Sequence, residues 1–308
     1  MKSEKYLTPT AISIGKFDTL HLGHRKLIHR MRERAGDSAV PTLVTFALGD
    51  EKLLTAGDRE WLAAEFGVSQ LVELPFTADI LNLTAEQFIR QILLDELRMQ
   101  NISVGYDFRF GRERRGDAVL LREQGKKFGF AVDVIEAETL DGQIITSTGI
   151  RADIVEGRLE LANRKLGYPY FVSGKVVSDR QLGRTIGFPT ANVLPEPGKL
   201  LPPFGVYIST VLMDGRYYQG ITNIGIKPTI TAHNPVSVET YLFDYSGDCY
   251  GREQKVFLLS FLRPEVKLSG LDELKACIKQ DQRDARRYFV KHVFETTGIG
   301  GPYGRIIE

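Results

Sequence analysis

The chain has 308 residues, 43% hydrophobic and 26% charged, which suits about two packed domains and argues against a disordered chain. Lys+Arg number 40 and Asp+Glu 39, so the net charge of +1 gives no electrostatic case for a nucleic-acid or membrane partner. Cys249 and Cys277 form neither a Cys-x-x-Cys pair nor part of a Cys/His cluster, and no run of about 18 apolar residues or leader-like apolar core occurs, so a reducing, cytoplasmic setting is expected.

Strand and helix patterns alternate through the first half. Residues 11–15 are a short apolar run ending on glycine, and a helix is predicted from Gly23, with Leu27, Ile28 and Met31 on one face. Residues 40–48 and 68–74 read as buried strands. Residues 85–98 read as an α-helix, because Phe88, Ile89, Ile92, Leu93 and Leu97 recur at helical spacing and Thr84 with Gln87 makes a capping box. Residues 102–105 are a further strand and 116–127 a further helix, and the alternation implies a parallel sheet covered by helices. A single helix over 151–166, ending at Gly167-Tyr168-Pro169, bridges two domains at 1–168 and 169–308. Beyond it the apolar segments become short and β-rich, at 171–177, 205–213, 217–225, 236–245 and 255–262. Asp214-Gly215 marks a hairpin, the spacing suggests an antiparallel barrel or sandwich, and an amphipathic helix over 271–289 closes the chain.

The run Gly15-Lys16-Phe17-Asp18-Thr19-Leu20-His21-Leu22-Gly23-His24 follows a strand and opens a helix. Gly15 permits a tight turn, and Gly23 permits close approach of backbone to a ligand. The unpaired N–H groups and partial positive charge of a helix N-terminus suit a triphosphate. His21 and His24, three residues apart, can reach the same phosphate and donate to the charge that builds on its oxygens during transfer. An ordinary strand–helix turn with surface histidines is the other reading; a metal site lacks a third ligand at suitable spacing. Two later segments favour the phosphate reading. One is Gly105 to Gly111, holding Asp107, Phe108 and Arg109 and followed by Arg112, Arg114 and Arg115; the other is Thr146-Ser147-Thr148-Gly149-Ile150-Arg151, rich in groups for anionic oxygens. All fall at predicted strand ends, where parallel sheets bind ligands.

In the second half, Gly183-Arg184-Thr185-Ile186-Gly187-Phe188-Pro189-Thr190-Ala191-Asn192 offers glycine-rich backbone to wrap phosphates. Thr190 and Asn192 supply hard oxygens suited to Mg²⁺. Glu239 lies on an alternating strand with the parity of Ser237 and Tyr241, where it is either a solvated carboxylate or a base for an attacking hydroxyl.

With these residues in order along nearly the whole chain, the sequence resembles the prokaryotic bifunctional riboflavin kinase/FAD synthetase family. The segments GKFDTLHLGH, VGYDFRFGRERRGD, GRTIGFPTAN, LPPFGVY, NIGIKPT and ETYLFDY carry the resemblance. It implies a nucleotidyltransferase-type α/β domain followed by a riboflavin-kinase β-barrel with a terminal helix. ATP, riboflavin, FMN and FAD are the implied substrates and products, with Mg²⁺. By this resemblance Glu239 is the kinase base, Thr190 and Asn192 hold Mg²⁺, and Gly183, Arg184, Gly187 and Pro189 hold nucleotide phosphates. His21 and His24 serve adenylyl transfer, with Gly15, Phe17, Asp18, Gly23, Ser147, Thr148 and Arg151 around the phosphates and Asp107, Phe108 and Arg109 at the flavin. Three departures stand out: Thr45-Phe46-Ala47-Leu48-Gly49-Asp50 lacks the family's Pro-His-Pro, Thr19 replaces a glycine, and Ser178-Asp179 replaces His-Gly. A riboflavin kinase with weakened adenylyltransferase activity is the alternative they leave open; a non-catalytic flavin- or nucleotide-binding regulator is the more distant one.

Overall fold

The opening apolar run forms β1 (Thr10–Ile14), with every residue buried, and leads into α1 (Leu22–Ala35). There follow β2 (Val40–Phe46), α2 (Ala56–Glu65), β3 (Gln70–Leu74) and the short helix α3 (Ala78–Leu81). Next come α4 (Ala85–Gln87), continued by a π-helix over Phe88–Glu96, then β4 (Met99–Gly105), α5 (Ala118–Phe128) and β5 (Ala131–Ile135). A small hairpin, β6 (Thr139–Leu140) and β7 (Gln143–Ile144), ends this half. The computed structural model describes residues 8–47, 49–177, 188, 190–226, 236–266 and 270–292, and the chain divides into the units Met1–Ser147 and Thr148–Glu308.

The first unit is a five-stranded sheet in the order β3-β2-β1-β4-β5, parallel throughout. The chain moves outward one way from β1 through β2 and β3, then returns to place β4 on the other side. That reversal opens a crevice beyond the C-terminal end of β1, where such sheets bind ligands. Ile12, Ile14, Val44, Ile102 and Val104 pack with Phe88, Ile89, Leu93 and Leu121 in the core beneath it.

Thr84 and Gln87 do form a reciprocal capping box, but the helix that follows is not the expected α-helix. Its closing bond runs from the Leu97 amide to the Ile92 carbonyl, an i→i−5 step. The wider turn still delivers Phe88, Ile89, Ile92 and Leu93 to the core, so apolar spacing alone could not distinguish it.

The second unit begins with α6 (Ser147–Val155) and α7 (Leu159–Leu166). The expected single helix is therefore broken, at Gly157, whose φ of 77° no helix continues through. Asp153 fastens the two pieces: it accepts from Lys165 Nζ at 2.6 Å and from Arg158 Nη2 at 2.8 Å, and its side chain is 3% exposed. β8 (Phe171–Val177), β9 (Thr190–Val193), β10 (Gly205–Met213), β11 (Arg216–Ile226), β12 (Val236–Leu242) and β13 (Glu253–Arg263) close into a barrel in the order β10-β11-β12-β9-β8-β13. The helix α8 (Leu271–Lys291) follows. Asp214 and Gly215, with φ of 50° and 73°, make the expected two-residue turn between β10 and β11.

Val172, Val193, Val211, Ile224, Val238 and Val256 share one face of the barrel strands and are all 0% exposed, so they fill its interior. A hydroxyl chain crosses this interior, from Ser209 to Thr222 at 2.7 Å and on to Thr240 at 2.8 Å. Asn163 docks α7 on the barrel: its Nδ2 donates to the Leu258 carbonyl at 2.9 Å, and its Oδ1 accepts from the Tyr170 amide at 2.7 Å. Among the described residues no helix is long and apolar enough to cross a membrane.

Replacing Asp153 by Ala leaves the buried Lys165 ammonium without its carboxylate. Removing one partner of such a pair costs about 3–5 kcal/mol; urea unfolding of the variant should show a loss of that order, and a loss below about 0.5 kcal/mol would refute the assigned role.

Candidate active sites

His21 is itself the N-cap of α1. Its backbone is extended, and its Nδ1 accepts from the His24 amide at 3.3 Å. A ring nitrogen that accepts carries no proton, so the neutral imidazole bears its hydrogen on Nε2. That N–H is left to donate at the helix N-terminus. The two rings stack with centroids 3.7 Å apart, and Gly23 leaves room beside them, since a Cβ there would lie 3.1 Å from His21 Cε1 and press on that ring. Phe17, fully buried with φ of 45°, sets its ring edge-on to His24 at 5.0 Å.

Burial disfavours charge on both rings. It brings the His21 pKa down to about 4, with Asp18 opposing the shift. His24 lies well below its ordinary value because of burial first and the neighbouring His21 second. His24 Nδ1 is buried without a hydrogen-bond partner among the described residues. The pair therefore stands as neutral donors that an anion can engage.

Ser147 is brought to the same turn. Its hydroxyl donates to Asp18 Oδ1 at 2.6 Å and sits 3.0 Å from the Thr19 hydroxyl. Thr19, in place of the glycine of the resemblance, is thus absorbed by a hydrogen bond and does not take a positive φ. Thr148 is exposed and Arg151 half-buried, the second and fifth residues of α6. Gly15 follows β1 and donates its amide to the Val44 carbonyl at 3.1 Å. β4 pairs with β1, so Asp107, Phe108 and Arg109 leave the same edge of the sheet. Asp107 is exposed, Phe108 stacks on Phe110 at 5.4 Å, and Arg109 donates to Asp117 at 2.8 Å. Arg109 is therefore tied to the residue that caps α5.

In the barrel, Thr190 and Asn192 lie on strand β9. Antiparallel pairing sets Asn192 opposite Glu239, and Glu239 opposite Asn223, so three polar side chains form one row on the outer face. The Thr190 hydroxyl donates to Glu239 Oε1 at 2.5 Å. Asn192 is 3% exposed, yet neither of its amide atoms has a partner among the described residues. An orphaned buried amide is costly, and beside a carboxylate and a hydroxyl it marks a place for a ligand. Asn223 was not singled out in sequence; its Nδ2 donates to Glu265 at 3.1 Å. Counting strand parity back from Glu239 through the β11–β12 pairing would have found it, but that register is a tertiary fact. Gly183, Arg184, Gly187 and Pro189, with Ser178-Asp179 and Leu48, lie outside the described residues.

A parallel nucleotide-binding sheet carrying a histidine-capped helix, joined in one chain to a closed barrel with a carboxylate–hydroxyl–amide row, defines a two-part transferase of phosphorus-containing groups. Residues 3–149 match the family described as FAD synthetase and residues 166–289 the family described as riboflavin kinase. Over 290 residues the chain is 38% identical to the bifunctional riboflavin kinase/FMN adenylyltransferase of Escherichia coli (strain K12), covering 90% of this chain and 92% of that one. The protein of the same description from Bacillus subtilis (strain 168) is 34% identical, covering 91% and 92%. A solved structure described as a macrolide-efflux protein from Streptococcus pneumoniae superposes with a TM-score of 0.80 at 26% identity, covering 92% of this chain and 96% of that one. The chain belongs to the bifunctional riboflavin kinase/FMN adenylyltransferase family.

The His21 shift has a consequence for stability. Between pH 6.5 and about 4 the unfolded imidazole is protonated while the folded one is not, so the unfolded state binds more protons there and stability falls as pH is lowered. The contribution is fully present above pH 6.5 and amounts to roughly 3 kcal/mol across the window. Denaturant unfolding of the chain should show this slope, and His21→Gln should reduce it while His24 maintains the remainder; an unchanged slope in that variant would contradict the assignment.

Proposed function

We propose that the outer row of the barrel carries out phosphorylation of riboflavin to FMN, and that the β1–α1 turn carries out adenylylation of FMN to FAD. In the first reaction the Glu239 carboxylate accepts the proton of the ribityl 5′-hydroxyl as its oxygen attacks the γ-phosphorus of ATP, and ADP leaves. The Thr190 hydrogen bond, at 2.5 Å, holds Glu239 in one orientation, and it is the single observation that best supports the reading. With its proton spent on Glu239, Thr190 keeps oxygen lone pairs for a hard cation, and the orphaned Asn192 amide supplies another oxygen. The donor set thus fits Mg²⁺, which when bound neutralises charge on the transferring phosphates. Gly183, Arg184, Gly187 and Pro189 hold the nucleotide phosphates in this reading, on the strength of their sequence motif.

In the second reaction a phosphate oxygen of FMN attacks the α-phosphorus of ATP and pyrophosphate leaves. His21 and His24 donate hydrogen bonds to the oxygens that gain charge. Gly15, Phe17, Asp18, Gly23 and Ser147 shape that turn, with Thr148 and Arg151 as further phosphate contacts. Asp107, Phe108 and Arg109 border the flavin, Arg109 while paired with Asp117. The functional division is put at 1–168 and 169–308; the family matches end at 149 and resume at 166, and β8 starts at Phe171. The near-zero net charge supports an enzyme without a nucleic-acid partner, and two cysteines outside any Cys-x-x-Cys pair or Cys/His cluster support a reducing, cytoplasmic setting.

Incubating the pure protein with riboflavin, ATP and Mg²⁺ and separating the flavins by chromatography should yield both FMN and FAD. Glu239→Gln should slow FMN formation by about 10²–10⁴ and leave FAD formation from supplied FMN intact. His24→Ala should do the reverse. Loss of both activities in either folded variant would sink the assignment of separate sites.

A further inference from the structure

Arg59, on α2, is the largest side chain to be fully buried among the described residues, at 1% exposed. Its Nη1 lies 3.1 Å from Thr45 Oγ1 and 3.4 Å from the Phe46 carbonyl. Its Nη2 pairs with Glu73 at the end of β3, and its Nε has no partner among the described residues. Desolvating a guanidinium this deeply is expensive, and an apolar side chain of similar volume would pack at least as favourably. What the guanidinium adds is direction.

Thr45 has one hydroxyl proton and two carbonyls within reach, that of Lys16 at 2.8 Å and that of Phe46 at 3.5 Å. Arg59 donates to the hydroxyl oxygen and also to the Phe46 carbonyl, so both interactions turn the Thr45 proton toward Lys16. A charged donor on its oxygen also strengthens the bond the hydroxyl then makes. Lys16 precedes Phe17, the buried residue of positive φ whose ring abuts His24. The strand end that lost its Pro-His-Pro element therefore still holds the catalytic turn, from beneath.

We infer that Arg59, acting through the Thr45 hydroxyl, is a positioning residue for His24 in adenylyl transfer. It fixes the Lys16–Phe17 backbone, and so the wall against which the imidazole is held, without touching substrate. This rests on the reading of His24 as a phosphate donor, and the test separates the two.

The full-length chain is assayed for FAD formation from supplied FMN and ATP, with riboflavin phosphorylation by the same preparation as an internal measure of folded enzyme. Thr45→Val should lower kcat for FAD formation by about tenfold or more, while KM for ATP stays within about twofold. Thr45→Ser, which keeps the hydroxyl, should restore kcat. Arg59→Met should lower kcat likewise, and the double variant Arg59→Met/Thr45→Val should be no slower than the slower single one, since both remove one relay. Phosphorylation of riboflavin should be unchanged throughout. Should Arg59→Met fail to fold, the Thr45 pair still decides the matter. Unchanged kcat in Thr45→Val, equal loss in Thr45→Ser, or additive losses in the double variant would overturn the inference. His24→Ala retaining FAD synthesis would instead overturn the reading of the turn itself.

Discussion

The amide of His24 donates to the ring of His21 across 3.3 Å, and much of the first unit is arranged around that bond. A helix N-terminus needs a side-chain acceptor; here an imidazole takes the place usual for a hydroxyl or carboxylate. The choice fixes where the ring proton sits, brings the second ring into a stack, and leaves little room for a side chain at Gly23. Three supports converge on the same turn: Val44 through the Gly15 amide, Thr45 through the Lys16 carbonyl, and Ser147 through Asp18. Each comes from a segment distant in sequence, so the turn is defined only once the parallel sheet has formed.

The two units solve one problem by different means. Both must hold phosphates and steer a nucleophile. On the proposed assignment the sheet does so with neutral rings at a helix end, where partial charges are preoriented and burial suppresses protonation. On the same assignment the barrel does so with side chains on one strand face, where register puts Asn192, Glu239 and Asn223 in a row. A single chain thus carries a helix end capped by neutral rings and a strand face built around one carboxylate.

Periodicity made the elements legible in sequence. Alternating strand and helix patterns gave the parallel sheet, short β-rich runs left a barrel or a sandwich open, and Asp214-Gly215 marked a hairpin that the structure contains. Local chemistry also marked the Thr84 cap. What sequence could not show depends on three-dimensional neighbours. The π-helix buries the same apolar residues an α-helix would, and the break at Gly157 is fixed by Asp153 reaching across to Lys165. Thr190 and Asn192 end a segment rich in glycine with no strand pattern of its own, and pairing with β12 makes them a strand. Arg59 carries no motif in the sequence, and only the fold reveals that the core encloses it.

The hydroxyl chain Ser209–Thr222–Thr240 inside the barrel bears on how the polar row on the outer face is brought into line in the first place. Thr222 and Asn223 are consecutive and face opposite sides of β11. A one-residue slip in pairing would carry Asn223 into an apolar interior and strand Thr222 outside, away from both hydroxyl partners. Valines alone would resist such a slip only through packing. The polar seam makes each wrong alignment forfeit directional bonds as well, so the barrel interior acts as a proofreader for an alignment whose product is displayed on the opposite face.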